Sequence, residues 1–303
     1  ENVKFNNLGL VITDEQHRFG VNQRKEFKNK GAYPDILSMS ATPIPRTYAM
    51  TIYGDMDISI ISTKPSNRKE VITYFKKEKD ITRVLELMKS EVDKKHQIYV
   101  IAPSIEEDEE ENSEIENVHD LEEKMNKAFS KICKISSIHG KMDTKEKNKV
   151  MSEYERGNID ILISTTVIEV GVNVPNASMI VIFDANYFGL STLHQLRGRV
   201  GRSDIQSYCI LVAKEHEERL KFLEECNDGF KVSEYDFKTR GEGDLFGIRQ
   251  HGEVGLILAN ISKDYDMLLR VKEDVSEFMD TYYSNIEEYP NINEELCKLD
   301  LNV

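Results

Sequence analysis

Cysteine is scarce in this chain of 303 residues, and its four copies, Cys133, Cys209, Cys226 and Cys297, include no CxxC pair. That scatter argues against a zinc site and a disulfide framework, and it suits a reducing cytoplasm. Long apolar runs are also missing. None approaches the roughly 18–20 residues needed to span a bilayer, so no membrane association is expected. The opening Glu-Asn-Val-Lys-Phe lacks both the basic and the apolar region of a secretory signal. With no initiator Met, the expectation is an interior piece of a longer protein. A P-loop, G-x-x-x-x-G-K-[ST], is absent too: the single Gly-Lys, Gly140-Lys141, is followed by Met142 with no glycine at the right distance before it.

What is there reads as globular. The length suits about two domains, and 39% of residues are hydrophobic against 31% charged. The net charge of −14 is concentrated in two acidic stretches, Glu106 to Glu123 and Glu287 to Asp300. Outside them the charge is nearly balanced, with local basic groups such as Arg197, Arg199 and Arg202. Charge therefore neither supports nor excludes a nucleic-acid partner.

Apolar runs bounded by turn-prone residues predict strands at Leu8–Thr13, Asp35–Ser40, Gln97–Ala102, Lys134–His139, Asp160–Ser164, Met179–Phe183 and Tyr208–Ala213. Ser59–Ser62 reads as strand-like, and the polar "TKPSNRKE" after it as a linker. Helical spacing marks Asp80–Val92, and Thr144–Glu155 reads as a polar helix. Alternating strands and helices predict an α/β architecture with parallel sheets, changing character from about Lys214 onward.

Four segments carry candidate chemistry. In "GLVITDEQHRFG", Asp14 and Glu15 follow a strand, the end at which open α/β sheets bind ligands; a solvated strand cap is the bland alternative. "SMSATPIPRT" places Ser40 and Thr42 after another strand, with Pro43 shaping the loop. "ILISTTVIEVGVNVP" ends a strand in Thr165 and Thr166, whose hydroxyls and backbone amides suit phosphate oxygens, and continues through Gly171 and Asn173. In "HQLRGRVGR", a helix would put Gln195, Arg199 and Arg202 on one stripe, with Gly198 and Gly201 letting another domain approach. Guanidinium forks presented this way suit phosphate oxygens.

In this order and spacing, DEQH, SAT, TTVIEVGVNVP and QLRGRVGR resemble motifs II, III, V and VI of superfamily 2 helicases. Residues Arg219 to Gly252 resemble the TRG motif shared by RecG and the transcription-repair coupling factor, and DEQHRFG, ATPIPRT and NDGF look more like RecG. The resemblance covers residues 1 to about 275. It implies two RecA-like motor domains, parallel sheets flanked by helices, as a partial one at 1–64 and a complete one at 65–213. A helical hairpin (TRG) element at 214–255 and a C-terminal helical segment at 256–303 would follow.

The resemblance also implies ATP and Mg²⁺ as cofactors and branched or duplex DNA as the partner of a cytoplasmic monomer. Asp14 would coordinate the metal through water, and Glu15 would polarise the attacking water. Gln195, Arg199 and Arg202 would face the phosphates, with Arg202 as the finger and Arg199 supporting it. Gly171 and Asn173 would border the nucleotide, although the family usually carries Asp where this chain has Asn173. Ser40 and Thr42 would couple hydrolysis to movement, Thr165 and Thr166 would face the DNA backbone, and Arg219, Arg240 and Gln250 would link hairpin to motor. The implied whole is a C-terminal fragment of a branched-DNA helicase, without P-loop or wedge domain and inactive alone. The alternatives are a coupling-factor translocase, an RNA helicase of the DEAD-box type, and a silent nucleic-acid-binding module.

Overall fold

The computed structural model describes residues 5–15, 34–40, 58–61, 63, 68–103, 117–165, 174–240, 265–292 and 294, in some helical positions by backbone alone. Two short strands open it, β1 (Leu10–Thr13) and β2 (Asp35–Ser38), paired in parallel with Thr13 opposite Ser38. Ser59–Ile61, expected as strand, has no regular structure.

A separate sheet follows, built from β3 (Ile72–Lys77), β4 (Gln97–Ile101), β5 (Ile135–Ile138), β6 (Ile161–Ser164), β7 (Ala177–Ile182) and β8 (Tyr208–Ala213). All of its strands run parallel, in the spatial order β3-β8-β7-β4-β6-β5. The central strands are buried at every position, as strands covered on both faces must be. Alternation then sorts their side chains. Ile98, Val100 and Ala102 point into one core, and Tyr99 and Ile101 into the other.

Helices α1 (Ile81–Asp93) and α2 (Val118–Phe129) cover the first face with Val84, Met88, Leu121 and Met125. The second is covered by α3 (Thr144–Glu155), α4 (Leu190–Arg197), α5 (Glu218–Glu225) and α6 (Gly229–Arg240), through Tyr154, Leu193, Leu220 and Val232. Helix α2 begins inside the acidic stretch Glu106 to Glu123. Its cap is Asn117, whose side chain accepts the Asp120 amide at 2.9 Å, which satisfies one of the helix's orphan N–H groups. Asp228 does the same for α6, accepting the Phe230 amide at 2.9 Å.

The hairpin α5–α6 is closed by Phe222 and Tyr235, stacked at 4.2 Å. Further on, α7 (Tyr265–Thr281) carries Phe278, whose ring packs against Tyr282 and Tyr289. No helix among the described residues is long and apolar enough to cross a membrane.

Candidate functional site

The register of β1 with β2 brings two of the candidate segments to one edge. Thr13 and Ser38 meet side by side, hydroxyl to hydroxyl at 3.3 Å, and the Met39 amide donates to the Thr13 carbonyl at 2.7 Å. Asp14 and Glu15 therefore leave the carboxyl edge of this sheet beside Ser40. The Glu15 amide donates to Asp14 Oδ1 at 2.8 Å, and Glu15 takes φ 50°. A left-handed conformation at a non-glycine residue is uncommon and concentrates at functional turns. Thr42 lies outside the described residues.

In the large sheet, connectivity decides where the arginines sit. β7 and β8 are parallel neighbours, so α4 must carry the chain from the carboxyl edge back to the amino edge. Residues 198–207 consequently lie at the amino edge. Gln206 donates to the Glu70 carbonyl at 2.9 Å and the Ile72 amide to the Ser207 carbonyl at 3.0 Å. Thr165, directly after β6, is at the opposite edge, about 13 Å away by strand length. It is buried, and its carbonyl accepts from Ser164 Oγ at 2.8 Å. The sheet thus separates Thr165 from the arginine loop. Thr166, Gly171 and Asn173 lie outside the described residues.

The helical stripe is not what forms. Helix α4 ends at Arg197 with Gly198 as its cap, so Gln195 is on the helix while Arg199 and Arg202 are on the turn beyond it. Gly201 has φ +71°, and a Cβ there would come within 2.7 Å of Val71 Cγ2. The glycine admits the lead into β3 of its own domain, where the sequence suggested room for another domain. Arg202 folds back, its Nε donating to the Gly198 carbonyl at 3.2 Å, and Ser203 Oγ donates to the Pro175 carbonyl at 2.8 Å. The end of the TTVIEVGVNVP segment and the arginine loop are one structural unit.

Tyr99 lies beneath this loop, almost fully buried. Burial pushes its hydroxyl up to about 12, against the pull of Arg202 and Arg199. Burial likewise draws the Arg202 pKa down; Tyr99 opposes this and the like charge of Arg68 adds to it. Sequence reading missed Tyr99, Arg68 and Ser203. A tyrosine inside the apolar run QIYVI was the one available signal.

In α5, Arg219 donates to the carbonyls of Phe188 and Asn186 and pairs with Glu217 at 2.6 Å, fixing the hairpin to the loop that opens α4. Arg240 ends α6, and Gln250 lies outside the described residues. No group of three or more His, Cys, Asp or Glu able to hold a metal occurs among the described residues. Asp14 fits a different arrangement, in which a hard cation takes one or two carboxylates and completes its shell with phosphate oxygens and water.

These features define a RecA-like domain of the helicase C-terminal class. Residues 76–204 match the helicase conserved C-terminal domain, and residues 226–299 match domain 3, C-terminal, of the ATP-dependent DNA helicase RecG. The RecG helicase of Staphylococcus epidermidis is 46% identical over 299 residues, covering 95% of this chain and 44% of that protein. A structure of RecG bound to a three-way DNA junction aligns with TM-score 0.67 and 42% identity, over 88% of this chain and 34% of that one. A Saccharomyces cerevisiae Dbp5 variant bound to RNA and ADP BeF3, 18% identical with TM-score 0.51 over 88% of this chain and 63% of that one, shares the fold alone. The chain belongs to the RecG family and spans less than half the length of the curated relatives it matches.

Proposed function

We propose that this chain supplies the catalytic acids, the arginine loop and the second motor lobe of an ATP-dependent DNA helicase that remodels branched DNA. The observation that carries this reading is the arginine loop at the amino edge, tied through Ser203 and Pro175 to the TTVIEVGVNVP segment. Family membership supplies the rest: the relatives are named as ATP-dependent DNA helicases, and one structure holds a three-way junction.

In this reading Asp14 would hold Mg²⁺, which would supply charge neutralisation at the phosphates of ATP. Glu15 accepts a proton from the attacking water. Arg199 and Arg202 place guanidinium groups against the γ-phosphate, where negative charge is spread as the phosphoryl group transfers. Gln195 faces the same phosphates, and Gly171 and Asn173 border the nucleotide. Ser40 and Thr42 relay the state of the acid pair. Thr165 and Thr166 meet the DNA backbone, and with Thr165 at the opposite edge, hydrolysis and this grip are separated by the length of the strands. DNA binding rests on phosphate contacts, hence falls steeply with salt and is largely indifferent to sequence. The protein acts as a cytoplasmic monomer.

The test is ATP turnover by a full-length RecG enzyme carrying this segment, on forked, duplex and single-stranded DNA, with Glu15→Gln and Arg202→Lys as variants. Turnover stimulated most by forks and abolished by both substitutions is expected. Turnover that ignores either change would sink the reading.

A further inference from the structure

From sequence, Arg197 counts among the basic groups of its segment together with Arg199 and Arg202. In the structure it is 3% exposed, whereas the other two are half-buried. Burial draws its pKa down, opposed by the nearby Cys209, Cys226 and Glu70, so the charge is kept at a site that disfavours it. A buried guanidinium persists where its geometry is used.

Its bonds show what is used. Nη1 donates to the Leu223 carbonyl at 2.8 Å, in the last turn of α5, and to Thr73 Oγ1 at 3.3 Å, on β3. Nη2 donates to Nδ1 of His194 at 2.8 Å, one turn earlier in α4. Arg219 makes the reciprocal contact, reaching from the first turn of α5 to the carbonyls of Asn186 and Phe188 ahead of α4. Arg197 of α4 therefore holds a carbonyl of α5, and Arg219 of α5 holds carbonyls of the loop ahead of α4, one clamp near each end. A single clamp would leave α4 free to pivot about it, whereas two fix its tilt. The arginine loop starts immediately past the Arg197 clamp, with the Arg199 amide donating to the Leu196 carbonyl at 2.9 Å and the Val200 amide to the Arg197 carbonyl at 3.3 Å.

We propose that Arg197 is a positioning residue. By clamping the carboxyl end of α4 to α5 and β3, it makes the arginine loop and the α5–α6 hairpin move as one body, so that a shift of either is passed to the other. This rests on the motor reading above.

The experiment compares Arg197→Lys and Thr73→Val with wild type in a full-length RecG enzyme carrying this segment, reading ATP turnover and base pairs of a three-way junction unwound per ATP. Lysine keeps the charge but cannot span carbonyl, hydroxyl and imidazole at once. Arg197→Lys is expected to hold turnover within about threefold and to lose about tenfold in unwinding per ATP, the size of a typical coupling free energy. Thr73→Val shifts the ratio the same way by less, and it decides the matter if the lysine variant does not fold. A loss of folded enzyme lowers both activities together and cancels from the ratio, so an unchanged ratio overturns the proposal. A wild type without DNA-stimulated turnover overturns the motor reading and this proposal with it.

Discussion

The hydroxyl of Ser203 and the carbonyl of Pro175 are 2.8 Å apart, joining segments separated by 28 residues. The bond holds the arginine loop against the return of the chain into β7, at the edge of the sheet opposite Thr165. Any phosphate met by Arg199 and Arg202 is therefore met at the amino edge.

In the proposed motor, Arg202 would act on charge that develops during phosphoryl transfer. Arg202→Ala in the full-length enzyme is expected to lower kcat for ATP by about 10³-fold or more while leaving DNA affinity little changed. Steady-state ATPase kinetics and a DNA-binding titration together check this.

Gly201 combines φ +71° with a Cβ position 2.7 Å from Val71 Cγ2. Gly201→Ala is expected to destabilise the chain by about 1–3 kcal/mol, read as a lowered urea midpoint. Adding Val71→Ala should recover part of the loss, because it removes the collision and leaves the backbone strain.

Glu91 is buried in α1 and bonds Lys94 at 2.6 Å, Ser178 at 2.5 Å and His96 at 2.7 Å. Burial disfavours its ionised form, yet these hydrogen bonds hold its pKa below the ordinary 4.5. A depressed carboxyl stabilises the fold above that ordinary value and loses the contribution as pH falls through the lowered one. Glu91→Gln is expected to cost about 1–3 kcal/mol near neutrality. The difference from wild type should shrink on acidification below pH 4.5, as thermal melts across pH would show.

The 303 residues contain no P-loop sequence, and hence no lysine and amide cradle of that kind for the β- and γ-phosphates. The isolated chain is expected to show neither useful ATP hydrolysis nor tight ATP binding. Robust DNA-stimulated turnover by it would contradict this.

Most strands of the large sheet were readable because a strand covered on both faces is an unbroken apolar run, as in QIYVI and ASMIVI. The exception was β3. Its sequence ITYFKK belongs to an edge strand, where solvent access permits charges that hide the pattern. Helix α2 was hidden differently: Val118, Leu121, Met125 and Phe129 form its buried side, but acids on the other side dominate the composition. In the candidate site, the residue types and their order were legible. The stripe was not, since helical spacing written past Gly198 says nothing about where the helix stops.

The chain's own residues determined that parallel strands would form, which side chains would be apolar, that acids and threonines would follow particular strands, and that the arginines would come with a helix. These are local matters, set by periodicity and by side-chain chemistry. Folding decided which edge each group occupies and which arginine goes inside. Parallel strands oblige α4 to run back across the sheet, and that return sets Arg199 and Arg202 at the edge opposite Thr165 while turning Arg197 inward, onto a carbonyl 26 residues ahead in the chain.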